Sequence, residues 1–99
     1  LDTKVLSDGT SVDEKSLIGS SVTIGKGARV ESSVIGPNCT IDEGAQVLGS
    51  VIWSNSTIDD GARVSGSILG RGCYVGRSAI LQPGTILGDK SSITDFSSP

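Results

Sequence analysis

Residues 35–69 have the sequence IGPNCTIDEGAQVLGSVIWSNSTIDDGARVSGSIL, which contains two steps of a 17-residue repeat. Ile35, Ile52 and Leu69 stand 17 residues apart in it. Extended in both directions, the same register holds strictly from Ile18 to about Leu81. A repeat of this kind indicates stacked structural units, so it determines the fold prediction.

Three columns of branched aliphatic residues run through the repeat, spaced six, six and five residues within each unit. Short strands separated by corners at this spacing close a triangle, and the next coil lies roughly 4.8 Å further along the axis. We therefore predict an all-β, single-stranded parallel β-helix of about five coils with an aliphatic interior. The twelve column positions are Ile18, Ile35, Ile52, Leu69; Ile24, Ile41, Ile58, Val75; and Val30, Val47, Val64, Leu81.

A second, smaller residue follows four positions after each aliphatic opener. These second columns are Val22, Cys39, Ser56, Cys73; Ala28, Ala45, Ala62, Ala79; and Val34, Val51, Ile68. We expect the small Ala and Cys side chains to fit where the triangle is crowded. Residues suited to turns and positive φ precede two of these columns, since Gly carries no steric penalty there and Asn little. They are Gly27, Gly44, Gly61; and Asn38, Asn55, Gly72.

The chain is predicted to be one domain, residues 1–99. Its parts are an atypical first coil at 1–17, regular coils at 18–86, and a C-terminal cap or tail at 87–99. Phe96 is the candidate to fold over the last coil, because solenoid ends must cover an open edge. The first coil fits the repeat more loosely, and its aliphatic openers are Leu1, Leu6 and Val12.

Composition excludes several function classes. The net charge is −3 and the pI about 4.6, whereas nucleic-acid binding needs a clustered basic face. No apolar run approaches the roughly 20 residues of a membrane span, and no signal peptide opens the chain. With only two cysteines, we expect a cytoplasmic location. The chain begins with Leu1 rather than Met and ends Ser97-Ser98-Pro99, so we expect it to be a piece of a longer protein.

The segments IGKGAR at 24–29 and IGPNCT at 35–40 resemble the hexapeptide repeat of left-handed β-helix proteins. That resemblance implies left-handed coils, which the spacing alone does not determine, because most parallel crossovers are right-handed. The run VIWSNSTI at 51–58, followed by GSILG at 66–70, is similar to the C-terminal domain of sugar-1-phosphate nucleotidyltransferases. Mannose-1-phosphate guanylyltransferases and glucose-1-phosphate adenylyltransferases have such coils.

This resemblance implies a parent enzyme that joins a nucleoside triphosphate to a sugar 1-phosphate with Mg²⁺. The cofactors would belong to an N-terminal catalytic domain, which would also be the docking partner of the β-helix. No position here matches that domain's Gly-rich triphosphate loop, so no catalytic or cofactor-binding residue is assigned. We expect docking, regulation or homo-oligomer contacts instead.

Two other functions remain open. One is a non-enzymatic scaffold of the same fold, such as a subunit related to translation-initiation exchange factors. The other is an acyltransferase-like β-helix without its usual base, because the chain contains no histidine. Acyltransferases of this fold generally rely on a His general base, so this alternative is the weakest.

Four acidic residues are weak candidates for a divalent cation site, since carboxylates are the oxygen ligands such ions prefer. They are Asp42, Glu43, Asp59 and Asp60, in the turns of adjacent coils. Solvated acids in a charge ladder with Lys26 and Arg77 are the alternative, and no metal site is assigned. Cys39 and Cys73 are two coils apart, so we expect the two residues to be separated by roughly 9–10 Å, whereas a disulfide needs Cα atoms within about 7 Å. A disulfide is therefore not expected, and both are predicted to be small buried residues.

Trp53 is the leading interface candidate. It follows an inward Ile and should therefore point outward, between Gly36 and Gly70 of the same column. It either covers those glycines or contacts a catalytic domain or another subunit, because exposed Trp is enriched in binding hot spots. Leu48, also predicted to point outward, and Tyr74, which continues an outward threonine ladder, are the other interface candidates.

Overall fold

A computed structural model describes residues 10–98, and Leu1 and Leu6 lie outside this range. The described chain is a left-handed parallel β-helix with no helical segment. Its strands, in chain order, are β1 (Ser11–Val12), β2 (Leu17–Ile18), β3 (Thr23–Ile24), β4 (Arg29–Glu31), β5 (Val34–Ile35), β6 (Thr40–Ile41), β7 (Gln46–Leu48), β8 (Val51–Ile52), β9 (Thr57–Ile58), β10 (Arg63–Ser65), β11 (Ile68–Leu69), β12 (Tyr74–Val75), β13 (Ile80–Leu81), β14 (Ile86–Leu87) and β15 (Ser92–Ile93).

Every third strand joins the same parallel sheet, so the coils form a three-sided prism. Sheet A has the order β1-β4-β7-β10-β13, sheet B the order β2-β5-β8-β11-β14, and sheet C the order β3-β6-β9-β12-β15. Backbone bonds run between coils throughout, for example from the Val51 N–H to the Ser67 carbonyl at 2.9 Å. The prediction of about five stacked coils is confirmed.

The 17-residue register is confirmed for the central coils. Ile35 pairs with Ile52, and Ile52 with Leu69, as the columns predict. At both ends the register widens to 18 residues, with Val12 opposite Val30 and Leu69 opposite Leu87. The extra residue sits in the looser first coil and in the lengthened segment after Leu81.

The aliphatic columns form the core. All their members are buried except Ile18, which is half-buried and packs against the rest near the first coil. The Ala column and both cysteines are also buried, with Cys39 and Cys73 as thiols rather than a disulfide. A core with few aromatics is sufficient because each coil presents aliphatic side chains from three sides toward one axis.

One column was assigned wrongly from the sequence. Val34, Val51 and Ile68 were grouped with the small residues of the crowded corners, but their side chains point outward. Successive strand residues alternate between faces, so the residue directly before an inward Ile must face solvent. The inward position lies one residue earlier and is occupied by the buried serines Ser33, Ser50 and Ser67.

These serines form a ladder inside the prism. The Ser33 Oγ accepts a hydrogen bond from the Ser50 N–H at 3.1 Å, and the Ser50 Oγ accepts one from the Ser67 N–H at 3.1 Å. Each hydroxyl also donates to a backbone carbonyl at the same corner; for Ser50 this is the Leu48 carbonyl at 3.0 Å. The ladder satisfies backbone N–H groups that would otherwise be buried without a partner.

The predicted turn residues do adopt positive φ. Asn38 and Asn55 have φ of 63° and 61°, and Gly72 continues their column at 65°. Phe96 was the candidate cap, but it occupies a corner with φ of 61° and is 70% exposed, so it does not cover the last coil. Strands β14 and β15 complete the fifth coil; β14 ends at Leu87, where the stretch 87–99 assigned to the cap or tail begins, and β15 lies within that stretch.

Replacing Gly36 by Ala tests how tightly the coils stack. A Cβ there would lie 2.8 Å from the Ser54 backbone N of the next coil, which cannot move without disturbing the ladder. Overpacking of this kind typically costs about 1–3 kcal/mol, so we expect a clear loss of stability in denaturant unfolding. Gly88→Ala is the matched control, because this residue stands in the same column and a Cβ there would meet no atom within 4 Å. Equal stability of the two variants would contradict the stacking argument.

Ser50→Ala should destabilise the chain more than Ser67→Ala. The first substitution leaves the Ser67 N–H buried without its partner, at about 1–3 kcal/mol. The second removes only bonds that the Ser67 hydroxyl donates, to the carbonyls of Ser65 and Gln82, which is worth about 0.5–1.5 kcal/mol. Urea unfolding of both variants measures the difference, and the reverse order would refute the ladder's role.

Candidate functional site

The outward residues of sheet B form a continuous apolar ladder. They stand in register on neighbouring strands, one per coil. We call this surface the apolar face; it consists of Leu17, Val34, Val51, Ile68 and Ile86. Val34 and Ile68 are 41% and 45% exposed, and the end residues more so. Contiguous exposed apolar surface of this kind marks interaction sites in soluble proteins.

The other two sides of the prism are different. The outward column of sheet C carries hydroxyl groups, on Thr23, Thr40, Thr57, Tyr74 and Ser92. The outward column of sheet A is mixed, with Ser11, Arg29, Gln46, Arg63 and Ile80. Sheet B is therefore the one side of the described prism whose outward strand column is apolar throughout.

Trp53 borders the apolar face. It follows strand β8, points outward as predicted, and is 54% exposed. A shallow groove runs beside it, lined by Val34, Gly36, Pro37, Val51, Ile52, Trp53, Ser54 and Arg71. Trp53 and Arg71 belong to the residue types that dominate binding energy at protein interfaces, and the aliphatic residues between them supply apolar area.

Close stacking of the coils explains why position 36, next to Trp53 in the column, is glycine. A side chain at Gly36 would collide with the backbone of Trp53 and Ser54, so glycine is needed there whatever occupies position 53. Covering the glycine column is therefore not required to explain Trp53. The second interface candidate, Leu48, ends strand β7 of sheet A and is half-buried, so it does not belong to the apolar face.

Tyr74, the third interface candidate, lies on sheet C rather than with Trp53. Its hydroxyl donates to the Asp59 carboxylate at 2.5 Å. This bond raises the pKa of Tyr74 from 10.0 to about 12 and holds the pKa of Asp59 below its ordinary value. Tyr74 is therefore fixed within a polar side of the prism.

Three of the four acidic candidates converge. Carboxylate oxygens of Asp42, Asp59 and Asp60 lie within 4.8 Å of one another, whereas Glu43 is not part of this group. Burial, followed by repulsion from the neighbouring carboxylates, raises the pKa of Asp42. Among the described residues, the ion pairs within 4.0 Å are Arg29–Glu31 and Arg71–Asp89, so Lys26 and Arg77 do not pair closely with these acids.

The cysteine thiols are engaged inside the prism. The Sγ of Cys39 donates to the Trp53 carbonyl at 3.0 Å, and the Sγ of Cys73 to the Gly88 carbonyl at 3.2 Å. Burial raises the pKa of the Cys39 thiol, which disfavours the reactive thiolate. Both cysteines act as small core residues.

The apolar face itself was missed in the sequence. Its signal was present, since the residue before each inward Ile or Leu of this column is itself aliphatic. Counting four residues forward from the preceding aliphatic opener concealed this signal. The segment that begins at Val30 has five residues instead of six, so the fourth position after the opener points outward and not inward. Counting two residues back from the next opener would have placed Ser33, Ser50 and Ser67 inside.

Comparison with known proteins agrees with this architecture. The family model described as the EIF2B subunit epsilon LbH domain matches residues 2–97. The acetyltransferase domain of PglB from Neisseria gonorrhoeae FA1090 superposes with a TM-score of 0.59 at 18% identity, over 88% of this chain. The chain spans 47% of that PglB structure, and the likeness concerns the fold alone.

A second solved structure is similar over most of both chains. The N-terminal domain of CcmM, crystallised in complex with CcmN, has a TM-score of 0.54 at 26% identity. The alignment covers 92% of this chain and 90% of that one. A search of the curated proteins finds no match. No helix long and apolar enough to cross a membrane occurs in residues 10–98.

Asp59→Asn should lower the pKa of Tyr74 from about 12 toward 10.0, because the carboxylate that holds the phenolic proton is lost. The bond's contribution to stability is complete between the ordinary pKa of an aspartate, 3.8, and pH 10.0; it is lost as the pH rises through about 12, and also as the pH falls through the lowered pKa of Asp59. Absorbance titration of tyrosinate measures this, since Tyr74 is the single tyrosine. Glu43→Gln makes the same charge change outside the acidic group and should leave the titration in place. An unchanged curve for Asp59→Asn would rule out the bond.

Proposed function

Because the chain belongs to the family of the EIF2B subunit epsilon LbH domain, we propose that it is a docking domain that holds a larger protein in its assembly. The observation that carries this proposal is the apolar face, with Trp53 beside it. A folded solenoid whose core is already complete has no internal need for five outward aliphatic residues in one column. Their exposure is explained if a partner covers them.

The parent protein is, in this proposal, a sugar-1-phosphate nucleotidyltransferase-like protein with a catalytic domain outside these residues. Support comes from the VIWSNSTI and GSILG segments and from the family, whose epsilon LbH domain is of nucleotidyltransferase type. The parent reaction would convert a nucleoside triphosphate and a sugar 1-phosphate into a nucleotide sugar and pyrophosphate. We place this protein in the cytoplasm and expect a homo-oligomer, with contacts to the catalytic domain.

Mg²⁺ and the nucleotide are assigned to that other domain, because the residues here do not suit them. The acidic group at Asp42, Asp59 and Asp60 has no Gly-rich phosphate-binding loop beside it. Asp59 is moreover already bonded to Tyr74. No step of the reaction is therefore derived from this domain.

A non-enzymatic assembly subunit is the second candidate. The family model is favourable to it, since EIF2B epsilon is described as a subunit. The CcmM domain, which was crystallised with CcmN, offers a second example of this fold bound to another protein. An acyltransferase function has less support, because these 99 residues contain no histidine.

Val51→Glu tests docking, in the protein expressed from its complete gene. A carboxylate in the centre of the apolar face would have to be desolvated on binding, so we expect the assembly to weaken more than tenfold. Light scattering after size exclusion measures the mass, and Trp53→Ala should act in the same direction. Gln46→Glu is the control, since it adds the same charge at a half-buried outward position of sheet A. An assembly unchanged by Val51→Glu would refute the docking role.

The two candidate parents differ in one assay. Purified protein from the complete gene is incubated with Mg²⁺, nucleoside triphosphates and sugar 1-phosphates, and pyrophosphate release is measured. Release that requires both substrates supports the nucleotidyltransferase parent. Lack of release across the nucleotides and sugars tested, in a preparation that assembles normally, favours the assembly subunit.

A further inference from the structure

The dimensions of the apolar face constrain what covers it. Four strand spacings of about 4.8 Å give a ladder roughly 19 Å long. The molecule measures 21 Å in its second dimension, which limits the width of one side. The resulting area, roughly 400 Å², is about half of the ~800 Å² that each partner contributes to a standard stable interface. The apolar face is therefore smaller than a standard stable interface, and a dimer of this chain would have to extend beyond that side.

The backbone of the apolar face offers nothing to an extended peptide. Strands β5, β8 and β11 each pair with a strand on both sides, so their N–H and C=O groups are already used. A strand laid across them would leave its own backbone groups without partners, which is costly on burial. An α-helix satisfies its backbone internally and brings only side chains to the surface.

The spacing of the ladder also suits a helix. A helix rises 5.4 Å per turn, close to the roughly 4.8 Å between rungs. Over the four spacings between the five residues of the ladder, the helical turns and the coils drift apart by only about 2.4 Å. Each turn can therefore place one apolar side chain near each coil. A ladder of roughly 19 Å corresponds to about 13 helical residues at 1.5 Å per residue, and a helix of 10–12 Å diameter fits within the side.

The border of the face adds a charge. Arg71 lines the groove beside Trp53, and its side chain is 68% exposed. Its nearest carboxylate, on Asp89, is 4.0 Å away, at the limit of an ion pair. The guanidinium is thus available to a carboxylate from the occupant, while Trp53 can cover the flank of a helix.

We propose that the apolar face binds an amphipathic α-helix of a partner subunit, about 13 residues long and parallel to the prism axis. Its apolar stripe lies on Val34, Val51 and Ile68, and an acidic residue at its edge meets Arg71. This assignment rests on the proposed docking function and specifies the chemistry of the partner. A second copy of this chain is not the occupant.

Photo-cross-linking along the ladder tests the proposal. Benzoylphenylalanine replaces Val34, Val51 or Ile68, one at a time, in the protein expressed from its complete gene in its own cells. Mass spectrometry then locates the cross-linked residue of the partner. One rung corresponds to about three residues of helix but between one and two residues of strand. We therefore expect the cross-linked partner residue to shift by three or four per rung, always in one direction.

Two controls make the result specific. The same photo-reactive residue at Gln46 or Thr57, on the other two sides, should not cross-link to that partner segment. Arg71→Gln should reduce the yield at Val51 roughly two- to fivefold, as expected for an exposed ion pair. The shift of the cross-linked residue per rung is the decisive readout, because it does not depend on which protein is captured.

The outcomes separate this inference from the docking function. A shift of one or two residues per rung, cross-links to another copy of this chain, or cross-links within the same polypeptide would overturn the helix partner. Docking would still stand in those cases if Val51→Glu weakens the assembly. An absence of cross-links at all three positions, together with an unaffected Val51→Glu assembly, would overturn both.

Discussion

The distance between stacked coils restricts where side chains can point in this molecule. Each coil lies one strand spacing from the next, so an atom that points along the axis meets backbone almost at once. At Gly19 a Cβ would lie 2.6 Å from the Pro37 backbone N, and at Gly25 it would lie 2.9 Å from that of Glu43. Side chains can therefore point only inward or outward, and each choice repeats in the next coil. The ladders of aliphatic, serine and hydroxyl residues all follow from this restriction.

The same restriction explains how much of the fold was accessible from the sequence. The interior of a narrow prism tolerates few residue types, so Ile41 and Ile58 or Ala45 and Ala62 repeat almost unchanged and predict both register and core. Two of the three corner columns were accessible for a similar reason, because positive φ favours Gly and Asn. The third column, which contains Ser32, Gly49 and Gly66, was not identified. The C-terminal end of the β-helix was less predictable. Phe96 is a large apolar residue of the kind that can cover a last coil, but nothing in the spacing determined where its side chain would point.

The candidate site was harder to predict because an outward position is under no such packing restriction. Trp53 was identified as outward from its distance to an inward Ile, and the structure agrees. The larger part of the site, Val34 and Ile68, was grouped with the small corner residues because both stand four residues after an aliphatic opener. In sheet B an inward aliphatic column, at Ile35 and its equivalents, stands directly beside an outward aliphatic column, at Val34 and its equivalents. Only the strand alternation separates them, and the buried serines one residue earlier reveal which is which.

In sheet B, a buried serine is followed directly by an outward aliphatic residue in each of the central coils. A buried hydroxyl column costs desolvation unless every member is bonded, and here the hydroxyls are bonded to the backbone of their own and the neighbouring coil. The polar corner is therefore closed by the serines, and the aliphatic side chain that precedes each inward Ile or Leu points away from the core. On sheet C the corresponding outward positions carry Thr40 and Thr57, which shows that hydroxyl residues are compatible with the same strand geometry. Aliphatic residues on sheet B are thus a property of that surface and not a requirement of the fold, which is why function is best sought there.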